Sequence, residues 1–382
     1  MSDAVAPRLD PPAAPRSPWQ RLYAAAHRWR RHRGRRRAAR LPRPVVSIGN
    51  LHWGGGGKTP LTAALATHLR DAGHQVAILS RGYRARGRGT RLVSGGWSAQ
   101  GEAPLLDAAT AGDEPVELAR ALPGVAVVVD PDRAAAGRWA LDHLEPPPDL
   151  FLLDDGFSHV GLARDLDLLA FPAADPFAGG RLFPSGRLRE PLASARWADA
   201  ALLTGLAAET PLDGLGDRLA AALAPHGFAG RGFACRTVAG TPHRVGGEDD
   251  GGEQDGEPLD PDTPLLLVSA IARPERFAAS ARAAGLRVAG EIAFRDHHDY
   301  PPASLERIRR EAAACGAGAL LTTAKDRGKL AGRLGAEGGI DTALPLAVLP
   351  VETRPEPAFW AWFDERLGVL QRRHRTALKE AQ

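Results

Sequence analysis

The sequence predicts an α/β fold: a doubly wound, mostly parallel sheet followed by a second, smaller α/β domain. Three observations carry this. From residue 44 onward short apolar runs alternate with amphipathic stretches of helical period; a glycine run joins the first strand to the first helix; and an acidic Gly/Pro-rich stretch at 246–264 separates two such series. With 382 residues, 44 % hydrophobic and 25 % charged, the chain has room for two cores.

The elements follow in order. "PVVSIGN" (44–50) reads as a strand, "PLTAALATHLRDAG" (60–73) as a helix ended by Gly73, and "HQVAILS" (74–80) as the next strand, which makes a β-loop-α-β unit and hence a parallel pair. A helix at "DEPVELARAL" (113–122), a strand at "GVAVVVD" (124–130), a helix at "DRAAAGRWALDHL" (132–144) and strands at 149–155, 165–171 and 199–205 extend the series. Ligands of such sheets sit at the carboxyl ends of strands. Beyond the acidic stretch, "PLLLVSAIA", "PERFAASARAAG", "LRVAGEIAF", "SLERIRREAAAC" and "AGALLTTAKD" alternate again. The boundaries are a Pro/Ala-rich tail at 1–18, an arginine-rich helix at 19–43, a first domain at 44–235, a second at 236–370 and a basic tail at 371–382.

Charge is unevenly placed. Residues 1–44 carry twelve arginines against Asp3 and Asp10, about +10, so the net +4 leaves the remainder about −6. In "WQRLYAAAHRWRRHRGRRRAAR", Trp19, Leu22, Tyr23, Ala26 and Trp29 are spaced for one helix face. Three partners suit it: water alone, nucleic acid, or an anionic lipid surface that Trp and Tyr beside arginines would favour. No window approaches 18 consecutive apolar residues and no secretory signal pattern is present, so peripheral attachment is expected. Cys235 and Cys315 form no metal-type spacing and read as reduced structural residues.

"NLHWGGGGKTPLTAAL" (50–65) carries the chemistry. A phosphate-cradling loop needs glycines so that successive N–H groups point inward, a lysine for the β/γ-phosphates and a hydroxyl for Mg²⁺. Gly54, Gly55, Gly56, Gly57, Lys58 and Thr59 supply these, and Pro60 sits in the first helical turn, where its missing N–H removes a donor that had no intrahelical partner. The strict G-x-x-x-x-G-K-[ST] spacing fails at His52. The order strand, loop, Lys-Thr, helix nevertheless predicts a P-loop and not a hinge. "LFLLDDGFSH" (150–159) ends a strand on Asp154 and Asp155, where Mg²⁺ or its waters would lie, with His159 close behind. The alternative there is a turn begun by Asp155-Gly156. In "AGDEP" (111–115), Asp113 is either a site carboxylate or a helix N-cap.

Taken together, "VVSIGNLHWGGGGKTP", "LSRGY" (79–83), "AGDEP", "DDGFSH", "GRLFPSGRLREPL" (180–192), "RPERF" (273–277), "FRDHHDY" (294–300) and "LLTTAKD" (320–326) resemble the tetraacyldisaccharide 4′-kinase family over about residues 44 to 352. That family's loop also lacks the first glycine, so His52 agrees with it. The resemblance implies a P-loop kinase that moves the γ-phosphate of ATP, with Mg²⁺, to the 4′-hydroxyl of a lipid A disaccharide 1-phosphate precursor. The expected place is the cytoplasmic face of the bacterial inner membrane, with its anionic lipid surface as partner and no nucleic acid. It matches Asp113 and His297 to an Asp–His pair that assists the acceptor hydroxyl, beside Lys58 and Asp155. A histidine next to a carboxylate orients it and tunes its proton affinity. His297 against Asp113 would put the reaction between the two domains. Thr59, Asp154 and Asp155 are the expected metal set.

Arg81, Arg187 and Arg189 are candidates for substrate or nucleotide phosphate, since a guanidinium offers fork-shaped donors. Tyr83 is a candidate to stack on a sugar or base, or a packing residue, and His159 a further substrate candidate. Two positions depart from the family: Ser158 stands where Gln is usual, and Ala324 where Glu is usual. Two other functions share features with the chain. A GTPase or metallochaperone-type switch has the same loop, but Lys325 directly precedes Asp326, which breaks the guanine-reading spacing; a nucleic-acid-dependent ATPase would explain the arginines, but no RNA or DNA motif accompanies them.

Overall fold

The computed structural model describes residues 7–10, 17–53, 56–83, 85–98, 106–245, 255–271, 273–296, 298–334 and 344–380, so Gly54, Gly55 and His297 lie outside the described residues. In chain order the elements begin with α1 (Pro18–Arg37), β1 (Val45–Gly49), α2 (Lys58–Asp71), β2 (Val76–Ser80), β3 (Arg91–Gly95), α3 (Ala108–Ala111), α4 (Asp113–Ala121) and β4 (Ala126–Val129). Next come α5 (Arg133–His143), β5 (Leu150–Leu153), β6 (Leu166–Pro172), β7 (Ala200–Leu206), α6 (Leu215–Leu223) and β8 (Arg231–Ala239). A second series holds β9 (His243–Val245), β10 (Asp255–Pro258), β11 (Leu265–Ser269), α7 (Pro274–Ala283), β12 (Val288–Ala293), α8 (Pro302–Cys315), β13 (Ala319–Thr323), α9 (Ala324–Leu334) and β14 (Leu346–Leu349). The chain ends with β15 (Val351–Pro355) and α10 (Pro357–Glu380).

Two units result: Met1–Thr237 with Thr353–Gln382, and Val238–Glu352. Among the described residues the first sheet runs β15-β8-β7-β6-β1-β5-β2-β4-β3, parallel from β8 to β4 with β3 antiparallel at the edge. β1, β2, β4 and β5 are buried along their whole length, as parallel strands covered on both faces must be. Their side chains alternate: Val46 and Ile48 join Leu61, Leu65 and Leu69 of α2 on one face, while Val45 packs with Leu79, Phe151 and Leu153 on the other. Ser47 is in register with Leu153, so the segments leaving β1 and β5 emerge side by side. The smaller unit has the order β10-β9-β14-β13-β11-β12, with the last four parallel. In it Asp326, of the "TTAKD" segment, is buried and accepts bonds from the Ala270 N–H and the Thr323 hydroxyl at 2.9 Å, a role in folding the start of α9.

Residues 353–370, expected in the smaller unit, lie in the first. Phe359, Phe363 and Leu367 of α10 recur at helical spacing and enter the core under α2, with Phe359 5.3 Å from Phe233 and Trp360 stacked on His68 at 4.2 Å. The arginine-rich helix also differs from expectation. It stops at Arg37, is capped by Ser17, and turns polar residues inward: Gln20, His27 and Arg31 are buried. Trp19, Leu22 and Trp29 are 56 %, 63 % and 66 % exposed. Tyr23 leaves that apolar face and donates to the Arg189 carbonyl at 3.1 Å. The buried anchor is Glu190, which accepts from Arg31 at 3.0 Å and from Ser158 at 2.6 Å, with His27 3.6 Å away. Burial alone would raise the Glu190 carboxyl, but His27, Arg31 and Ser158 together pull it from 4.5 down to about 2.

A depressed carboxyl contributes stability that is complete above its unfolded value near 4.5 and is lost as pH falls toward 2. Glu190→Gln should cost about 3 kcal/mol at pH 7, because it strands the Arg31 charge. In urea unfolding the gap to the native chain should close as pH drops through that window; a gap independent of pH would contradict the pairing.

Candidate active site

The loop after β1 is fixed from several sides. Asn50 is fully buried and its side-chain oxygen accepts from Lys58 Nζ at 3.4 Å. Gly56 lies so close to the Asn50 amide that a Cβ would overlap it, and Gly57, at φ +76°, would bring a Cβ to 2.8 Å of the Thr204 hydroxyl. That hydroxyl donates to the Gly56 carbonyl at 3.0 Å. Gly57 is the N-cap of α2 and no side chain caps it. The first N–H groups of the helix, with their partial positive charge, are thereby left to an anion. His52 bridges to Leu188 and stands edge-on to Phe171. Burial lowers its pKa to about 4, so it is a neutral residue joining the loop to the 181–190 segment.

Opposite the lysine stand the two aspartates. Lys58 Nζ is 3.1 Å from Asp155 Oδ1, and Arg189 forks onto both oxygens of the same carboxylate, one at 2.8 Å, while also donating to the Asn50 carbonyl at 3.2 Å. Burial pushes the Asp155 carboxyl up, but the Arg189 hydrogen bonds and the Lys58 and Arg189 charges hold it well below the usual carboxylate range. Its backbone is left-handed, φ +51°, a conformation that costs energy outside glycine and clusters at functional sites. Asp154 is buried and accepts from Thr62 at 3.1 Å. Burial, then Glu114 and Asp155, raise its pKa to about 7. It is thus Thr62, one turn past Thr59, whose hydroxyl meets an aspartate; Thr59 sits half-buried in the first turn of α2.

The other predicted residues divide. Asp113 opens α4, and Gly112 at φ +96° occupies the N-cap, so Asp113 is not the cap that the sequence left open. A Cβ on Gly112 would lie 2.8 Å from the Tyr83 carbonyl, which places "LSRGY" against "AGDEP"; the Tyr83 ring is 63 % exposed. Glu114 acts on both Asp154 and Arg189, so the start of α4 is within electrostatic reach of the aspartates. His159 is half-buried and lowered to about 4, by burial first and then by Arg133 and Arg164. Arg81 is exposed and close enough to Arg133 to lower its pKa, and Arg187, also exposed, pairs with Asp175 at 3.5 Å and acts on His52 of the loop.

Sequence reasoning missed Asn50, Thr62, Glu190 and Arg133. Arg133 is buried at the first turn of α5, donates to the Pro131 carbonyl at 3.1 Å, and feels Asp155, Asp154 and Asp130. Burial, then Arg81, lowers it to about 10. The signal was available: a cation in the first helical turn opposes the helix dipole unless an anion lies nearby. Ser158, unusual for the resembling family, here donates to Glu190.

An uncapped helix N-terminus, a lysine and carboxylates at one sheet edge fit a phosphate chain carrying a divalent cation. Among the described residues no group of three or more His, Cys, Asp or Glu is arranged to hold a metal unaided. That suits Mg²⁺, which takes one or two carboxylates and completes its shell with phosphate oxygens and water.

Comparison with known proteins agrees with this geometry. The family model for tetraacyldisaccharide-1-P 4′-kinase matches residues 14–368. The tetraacyldisaccharide 4′-kinase of Anaeromyxobacter dehalogenans (strain 2CP-C) is 41 % identical over 309 residues, 80 % of this chain and 78 % of that protein. That of Geobacter sulfurreducens is 38 % identical over 332 residues, 85 % and 84 %. A crystal structure of LpxK from Aquifex aeolicus in complex with ATP superposes with a TM-score of 0.68 at 28 % identity, covering 94 % of this chain and 97 % of that one. With its loop, its aspartate pair and its large, mostly parallel sheet accounted for, the chain belongs to the tetraacyldisaccharide-1-phosphate 4′-kinase family.

Proposed function

We infer that this chain transfers the γ-phosphate of ATP to the 4′-hydroxyl of a tetraacyldisaccharide 1-phosphate at a membrane surface. The observation that carries this is the Lys58–Asp155–Arg189 cluster set against the uncapped start of α2. When bound, ATP would supply the transferable phosphoryl group and Mg²⁺ would neutralise part of its phosphate charge. The N–H groups of Gly56 and Gly57, together with Gly54 and Gly55, would line the phosphates, and Pro60 sets the backbone of the first turn. Lys58 would leave Asp155 for the γ-phosphate as it arrives. Thr59, Asp154 and Asp155 are the residues assigned to the cation.

Phosphoryl transfer asks for alignment and charge neutralisation more than for covalent work. Arg81 and Arg133, on the aspartate side, add positive charge where the transferred group would carry negative charge. Asp113, which opens α4, is assigned to accept the proton of the sugar hydroxyl, and His297 is assigned to the same step by the family resemblance. Arg189 is assigned to hold Asp155 rather than the acceptor, and Tyr83, His159 and Arg187 are left for the sugar phosphate.

The membrane assignment is supported by α1. Among the described residues no helix is long and apolar enough to cross a bilayer, and α1 presents Trp19, Leu22 and Trp29 outward among arginines. A surface helix that turns its apolar residues away from its own protein suits the headgroup region of the anionic cytoplasmic leaflet of the inner membrane.

Two outcomes test these assignments. Asp113→Asn should lower kcat about 10²-fold to 10⁴-fold for labelled phosphate transfer from ATP to the disaccharide lipid, with ATP affinity by calorimetry little changed; retained turnover removes Asp113 from the reaction. Trp19→Ser combined with Trp29→Ser should abolish flotation with phosphatidylglycerol vesicles while leaving the melting temperature as it was, since both side chains are exposed. Undiminished flotation would remove α1 as the contact.

A further inference from the structure

We propose that α1 is part of the catalytic apparatus as well as a surface contact: Tyr23 and Arg31 are positioning residues that align Arg189 with Asp155. This rests on the kinase activity inferred above. The contacts of α1 fall on Arg189 itself and on the segment that follows Asp155. On the Arg189 side, the Tyr23 hydroxyl donates to the Arg189 carbonyl at 3.1 Å, and the adjoining Glu190 is held by Arg31 at 3.0 Å. On the Asp155 side, the Arg31 guanidinium lies 3.9 Å from the ring centre of Phe157, and the next residue, Ser158, donates to Glu190 at 2.6 Å. A single side chain of α1, 1 % exposed, therefore touches both segments whose ends carry Arg189 and Asp155.

The segment it holds is also laid along the phosphate loop. The N–H groups of Arg189 and Glu190 both point to the Leu51 carbonyl, at 2.9 and 3.4 Å, and Arg189 reaches Asn50 and Asp155 from that position. Displacing the backbone at 189–190 would swing the guanidinium fork off Asp155 and leave that carboxylate to Lys58 alone. Stability alone gives a weak account of Arg31. Among the described residues its Nε and Nη2 find no hydrogen-bond partner, and buried pairs of this kind are often replaced by apolar residues without loss. Alignment gives a stronger one, because a shift of about 1 Å at a reacting centre costs on the order of 10²-fold in rate.

The test uses Tyr23→Phe, which removes one hydroxyl, and Arg31→Met, with Arg31→Lys as the conservative variant. Each is measured for kcat and the KM for ATP with the disaccharide lipid, for melting temperature, and for amide deuterium exchange over 154–158 and 185–192 without nucleotide. Tyr23→Phe and Arg31→Met should lower kcat per folded molecule by roughly 10-fold to 100-fold, leave KM for ATP nearly unchanged, and speed exchange in both segments; Arg31→Lys should recover part of the rate. Native kcat with native exchange in Tyr23→Phe overturns the proposal, as does a loss of rate that only follows the unfolded fraction. Should the native chain phosphorylate no disaccharide lipid, the activity fails, and the exchange data alone still decide the positioning.

Discussion

Asp155 sits between Lys58 and Arg189, and the rest of the site depends on that triple contact. It joins three segments that leave the same edge of the sheet: the loop after β1, the turn after β5, and the stretch at 181–190. Two cations on one carboxylate settle the local charge. They hold Asp155 ionised, and its charge adds to the burial and the Glu114 charge that raise the neighbouring Asp154 to about 7.

The same contact explains why so many neighbours are polar and buried. Asn50, Thr62, Thr204, Ser158 and Glu190 each take a specific partner in or around the loop, and glycine is required where Asn50 and Thr204 crowd it. Helix α1 extends the arrangement outward. Its inward face is a polar key fitted to Glu190, and its outward face carries the tryptophans. The contacts of α1 and those of the phosphate loop therefore meet in one short segment, residues 189 and 190.

Much of this was legible in the sequence. Buried parallel strands are short apolar runs, so 44–50, 74–80 and 149–155 announced themselves, and the glycine run with Lys58 and the Asp154-Asp155 pair followed from where those runs stop. The pairing of Asp155 with Arg189 was not legible, because 34 residues separate them and no period connects them. Helix α1 was misjudged at Tyr23 because helical spacing gives a face but not which side the protein takes. The return of α10 was missed for a related reason: proximity in sequence suggested a second-domain tail, while the fold brings residues 353–370 back to the first unit. Burial of a charged group is decided by tertiary partners, and those are invisible to local pattern.

The most direct measurement is a crystal structure of the native chain with a non-hydrolysable ATP analogue and Mg²⁺. The triphosphate should lie along residues 54–58, with Lys58 moved from Asp155 onto the γ-phosphate and Arg189 still forked on Asp155. A nucleotide bound elsewhere, with the Lys58–Asp155 contact intact, would contradict it.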